Sequence, residues 1–81
     1  MTPLQAVQVI FSDASLIPIK EWKGLNGELG VYHSQDHDYY YLLIPSQDEH
    51  YTQSYPPTDR DQAISAAEFI AAFAGAQERL P

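Results

Sequence analysis

Glu28-Leu-Gly-Val-Tyr-His-Ser-Gln-Asp-His-Asp-Tyr-Tyr-Tyr-Leu-Leu-Ile44 (ELGVYHSQDHDYYYLLI) is the stretch on which the fold turns. Two runs of β-forming residues, 28–34 and 39–44, flank a polar segment, QDHD, whose composition suits a turn. A two- or four-residue loop centred on Asp36-His37 gives a single register. Ser34 faces Tyr39, His33 faces Tyr40, Tyr32 faces Tyr41, Val31 faces Leu42 and Leu29 faces Ile44. Side chains alternate across a strand, so two faces emerge. One carries Leu29, Val31, Leu42 and Ile44, with His33 and Tyr40 at its end. The other carries Tyr32, Tyr39 and Tyr41 with Gly30, Ser34 and Leu43. The first is the expected core and the second the expected surface.

Upstream, Leu16 to Lys23 (LIPIKEWK) reads as a further strand, with Pro18 confining its first half to an edge. The Asn26-Gly27 pair is a strong hairpin signal, because both central residues of the favoured tight turn take positive φ. A strict two-residue loop there sends Trp22 and Lys20 to the aliphatic face and Ile17 and Ile19 to the tyrosine face. A bulge near Gly24 reverses that assignment. Downstream, Pro45 ends the third strand, and Tyr51 to Tyr55 (YTQSY) alternates as a short fourth strand or an extended loop.

A helix is expected at each end. Thr2 and Gln5 form a capping box around Pro3, and Leu4, Val7, Ile10, Phe11 and Ala14 recur at helical spacing. At the other end Pro56-Pro57 stays extended and Thr58 caps a helix reaching Gln77 or Arg79. Asp59 and Asp61 suit its first turn. Its apolar stripe is Ala63, Ile64, Ala67, Ile70, Phe73 and Ala74, widened by Ala66, Phe69 and Ala71, and Gly75 is a fray point. So apolar a helix is either well covered by its own domain or covers a subunit contact. The order α-β-β-β-(β)-α predicts one α+β domain over residues 1–81, an antiparallel meander with both helices packed on one face.

The 81-residue chain has 11 acids, 4 basic residues and no cysteine. A disulfide framework and thiolate metal sites are therefore excluded, and a cytoplasmic location is expected. The N-terminus lacks the features of a signal peptide, and no apolar run approaches the span of a bilayer. No lysine or arginine falls between Gly24 and Asp59, whereas six acids, all six tyrosines and all three histidines do. Direct nucleic-acid binding needs cations against phosphate, so the balance points to a basic partner protein instead.

Four chemistries compete for these residues. His33 and His37, with Asp36 and His50 as further donors, are candidate metal ligands, but a hairpin sets His33 in a strand and His37 in a turn, and no cofactor is expected. Asp36, Asp38, Asp48 and Glu49 with His33 or His50 could supply acid–base chemistry, yet no nucleophile elbow or phosphate loop accompanies them. The binding reading uses Tyr32, Tyr39 and Tyr41 flanked by Asp36, Asp38, Asp48 and Glu49, extended by Tyr51 and Tyr55, since tyrosine is enriched at interfaces. It predicts a non-enzymatic inhibitor, adaptor or regulatory subunit. In a sharper form the acids imitate a phosphate backbone, in the manner of small phage-type inhibitors of restriction or CRISPR systems. The structural alternative is a homodimer or a subunit of a larger assembly, joined through the Ala-rich last helix or an exposed sheet edge.

Overall fold

The computed structural model describes residues 3–24 and 26–78. The elements run α1 (Pro3–Phe11), β1 (Leu16–Gly24), β2 (Gly27–Ser34), β3 (Tyr39–Pro45), β4 (His50–Tyr55), a 3-10 turn (Pro57–Asp59), α2 (Arg60–Ala74) and β5 (Gln77–Glu78). The strands form one antiparallel sheet in the order β4-β3-β2-β1-β5. This is the α+β meander expected, and the β2–β3 pairing has the expected register, from Ser34 opposite Tyr39 to Gly30 opposite Leu43. The intervening turn, 35–38, has four residues and ends on Asp38 at φ 53°, a left-handed position that Asp tolerates.

The expected placement of both helices on one face is corrected. Val31, Leu29, Leu42 and Trp22 form one buried cluster with Ala63, Ala67 and Ala71 of α2. Tyr32, Leu43 and Leu16 form a second with Val7 of α1, and Leu4, Phe11 and Tyr41 pack against it. Val31 and Tyr32 are neighbours in one strand, so their side chains leave the sheet in opposite directions. The helices therefore sandwich the sheet. The physical reason lies in the second face itself. It carries Leu16 and Leu43 as well as tyrosines, and each buried Leu stabilises by about 1.5–3 kcal/mol when covered.

Trp22 belongs to the α2 core. Its partner is Leu29, and Gly24 pairs with Gly27, so Gly27, at φ 119°, opens β2 and is not a central turn residue as expected; the two-residue shift in pairing keeps Trp22 on the same face. Leu25, part of the expected Leu25–Glu28 turn, lies outside the described residues. The register shift occurs instead between Pro18 and Lys20. Proline has no N–H to give the ladder, and the extra residue, Ile19, packs against the α2 core. That bulge lets the isoleucine and Trp22 share a face.

Both helix boundaries shift. Thr58 does not cap α2: Asp59 is the N-cap, without a side-chain cap bond, and Thr58 Oγ1 donates to Asp59 Oδ1 at 3.4 Å. The helix stops at Ala74, because Gly75 takes φ 70° and the N–H groups of Gly75 and Ala76 return to the carbonyls of Ala72 and Ala71. Gly75 thus terminates the helix with a left-handed cap, where a fray point was expected. Chain that was expected to be helical becomes β5, pairing Gln77 and Glu78 with Lys23 and Trp22. The expected Thr2 cap and a helix end at Arg79 lie outside the described residues. Ile10 is exposed rather than buried, since α1 turns Leu4, Val7 and Phe11 inward.

Candidate interaction surface

The residues singled out in the sequence do not assemble into one surface. Tyr32 is fully buried, its ring lying where a Cβ on Gly30 would come within 2.6–2.8 Å. It donates to Glu21 Oε2 at 3.0 Å. Tyr41 is half-buried, stacked on Phe11 with centroids 4.7 Å apart. Tyr32 is core for α1 and unavailable as a partner contact, whereas Tyr41 packs against the same cluster and stays partly exposed. Tyr39 stays exposed on the α1 side. Tyr51 and Tyr55 pair with Ile44 and Tyr40, which places them on the α2 side. The acids are split as well. Asp36 and Asp38 lie in the β2–β3 turn, Asp48 and Glu49 in the β3–β4 turn. The seven residues of β3 separate them, a distance of roughly 20 Å at about 3.3 Å per residue.

The histidines are parted too. His33 stacks on Tyr40 and its Nε2 lies 3.0 Å from Asp38 Oδ1. His37 is in the turn, and its backbone N–H donates to Ser34 Oγ at 3.2 Å. Among the described residues no three His, Asp or Glu side chains gather as a metal site.

One polar cluster was not anticipated from the sequence. Asp13, in the loop between α1 and β1, is buried beside fully buried Ser34. Its Oδ1 accepts from Ser15 N–H at 2.9 Å and Ser15 Oγ at 2.6 Å, and its Oδ2 accepts from Ser34 Oγ. Ser15 Oγ in turn accepts the N–H of Asp36 at 3.0 Å. The Ser15 hydroxyl, then the Ser34 hydroxyl, hold the Asp13 carboxyl below its ordinary range against the opposing effect of burial. Within the loop Ser15 fixes Asp13, and the bonds of Asp13 to Ser34 and of Ser15 to Asp36 join that loop to the β2–β3 turn, so the cluster is a clamp. The only sequence signal was Asp13-Ala-Ser15, an Asx-type turn pattern.

The largest exposed apolar groups are on α2. Phe69 is 73% exposed and Phe73 89% exposed, although Phe73 was expected in the apolar stripe and Phe69 was expected to widen it. Three alanines, Ala63, Ala67 and Ala71, occupy the sheet-facing row and are buried to 2% exposure or less. They bring the helix backbone close to Leu29, Val31 and Leu42, leaving no room beneath for a phenyl ring. Lys20 fixes the β1-facing flank of α2 through Glu68 at 2.8 Å, and it also reaches Glu78 at 3.3 Å. These contacts raise the Lys20 pKa, Glu68 most of all. At 100° per residue Phe73 lies about 140° round the helix from Glu68, so it occupies the flank turned away from β1.

Beside that flank is a cleft of about 190 Å³ between the end of α2 and the sheet. Its walls are Leu29, Ile44, Pro45, Ile70, Ala74 and Ala76, closed at one end by Gly24, Asn26 and Gly27. None of these side chains is titratable. No helix among the described residues is long and apolar enough to cross a membrane. No family model, no curated protein and no solved structure matches this chain, so the candidate surface is defined by its own geometry.

Proposed function

We propose that this chain is a non-enzymatic protein-interaction module whose contact surface is the outer flank of α2. The observation that carries this reading is the pair Phe69 and Phe73, one helical turn apart and mostly in water. An exposed phenyl ring gains nothing in a monomer, and two on adjacent turns beside an apolar cleft match the anatomy of an interface core. The chemistry of the cleft supports binding over catalysis, since its lining offers no acid, base or nucleophile.

The experiment is site-specific photocrosslinking in the native host, with a benzophenone side chain replacing Phe69 in one variant and Thr52 in another. A discrete adduct from position 69, absent from position 52, is the expected result. Equal or no crosslinking at both positions would sink the reading.

A second reading keeps the basic partner and moves it to the β4 edge. Tyr51, 54% exposed, lies close in sequence to Asp48 and Glu49 at the β3–β4 turn. Such a contact weakens with added salt, because exposed charges are screened within about 10 Å at 0.1 M. The phosphate-mimic form of that reading loses support, since its acids sit at opposite ends of β3.

A further inference from the structure

Resting on the reading of α2 as the contact surface, we infer that the partner is a second copy of this chain, with Phe73 of each copy seated in the cleft of the other. The cleft and the ring match in size. A dry cavity of about 150 Å³ lined by Leu, Ile and Phe admits benzene, and this one offers about 190 Å³. They also match in chemistry, since its walls are aliphatic side chains and proline.

Position makes the exchange reciprocal. Phe73 immediately precedes Ala74, a wall of the cleft, and follows Ile70, another wall, by three residues. Knob and socket therefore lie side by side on one helix end. A two-fold axis passing between them carries each ring into the opposite socket, giving a closed, self-complementary contact.

Charge selects the same surface. A chain of net charge −7 repels its copy over most approaches. From Ser65 to Ala74 the only charged residue is Glu68, and Lys20 pairs with it. Like copies can meet there with only this paired acid on each, whereas a basic partner finds no carboxylate that is not already paired with Lys20. Area is sufficient as well. A covered Phe side chain buries about 150–250 Å², so Phe69 and Phe73 from both copies supply a large part of the roughly 1,200 Å² that a stable pair requires. Small Ala72, exposed on the turn between these two rings, permits close approach.

Sedimentation velocity of the full chain across the micromolar range tests the inference. The wild-type chain is expected to sediment as a monomer–dimer equilibrium that shifts toward dimer as salt screens the like charges. Phe73→Ser should be monomeric while keeping the wild-type circular dichroism, because that side chain supports nothing within its own fold. Ala74→Trp, which fills the socket from an exposed position, should be monomeric too. Mixing the two variants should restore a weaker pair with one seated ring, an outcome that ring-on-ring stacking does not give. A wild type that stays monomeric throughout, an Ala74→Trp chain that pairs as tightly as wild type, or a mixture that stays monomeric would each overturn the exchange. A monomeric chain whose position 69 still crosslinks to another protein would overturn this inference and leave the functional reading standing.

Discussion

The two faces of the sheet are both covered, by helices that solve the problem in opposite ways. On the α1 face the sheet supplies the bulk. Tyr32 and Leu43 fill the space under a nine-residue helix that buries only Val7 fully. On the α2 face the sheet again supplies bulk, through Trp22, Leu29, Val31 and Leu42, but the helix answers with alanines. Close approach follows, and it drives the phenyl rings of α2 outward while Ile64 and Ile70 pack at the margin of the core. A helix can thus be strongly apolar and still put its two phenylalanines in water. Composition alone does not tell which side of such a helix is the core.

The largest expected effect falls on the α1 face. Tyr32→Ala removes the central ring and should cost about 3–5 kcal/mol in a chemical-denaturation measurement, the range for truncating a buried aromatic. A cost below 1 kcal/mol would mean that α1 does not close that face. Next comes the alanine row. Ala67→Leu forces α2 away from Val31 and Leu42 and should destabilise by about 1–3 kcal/mol, the usual toll of overpacking. Gly30→Ala tests the same principle opposite, since the new Cβ would meet the Tyr32 ring at 2.6–2.8 Å. A loss of similar size is expected, and Tyr32→Leu in the same chain should recover part of it.

Smaller effects belong to the clamp and the rim. Ser34→Ala removes the Ser34 hydroxyl from Asp13 Oδ2 and from the His37 N–H while Ser15 still holds Oδ1, for a cost of about 1–3 kcal/mol. The Asp13 pKa is lowered in the fold, so its stabilisation is complete above the unfolded value near 3.9 and is lost as pH falls through the folded value. Thermal melts of Asp13→Asn should therefore lie below wild type at pH 7, and the gap should close progressively below about pH 4. A gap that persists unchanged at pH 2 would show that the carboxylate charge is not what holds the loop. Smallest of all, Phe73→Ser should leave monomer stability within about 0.5 kcal/mol of wild type, as for other unsupported surface positions.

Much of this was legible in the sequence. The alternation in ELGVYHSQDHDYYYLLI, with its polar centre, gave the β2–β3 register residue by residue, because a slip of one would have sent every side chain to the wrong face. Trp22 was not legible in this way: the sequence left it on either face, and only the ladder running to Gly24 and Gly27 assigns it to the α2 core. What escaped had longer-range causes. Tyr32 suits a surface or a core equally, and the choice depended on α1 crossing to that side, which the short loop at Ser12–Ser15 permits and does not announce. The bulge at Ile19 reflects a missing proline donor whose consequence appears only against β2. Phe73 fits an apolar stripe by spacing, and only the depth to which Ala63, Ala67 and Ala71 sink reveals that the stripe is centred elsewhere.

The three phenylalanines provide the most direct test, because one lies on each side of the comparison and the third beside the second. With fluorine-labelled phenylalanine incorporated throughout, the 19F spectrum should show Phe69 and Phe73 shifting and broadening as protein concentration rises. Phe11, stacked on Tyr41 under α1, should not move. Phe69 and Phe73 resonances independent of concentration, or a Phe11 resonance that moves with them, would contradict the account.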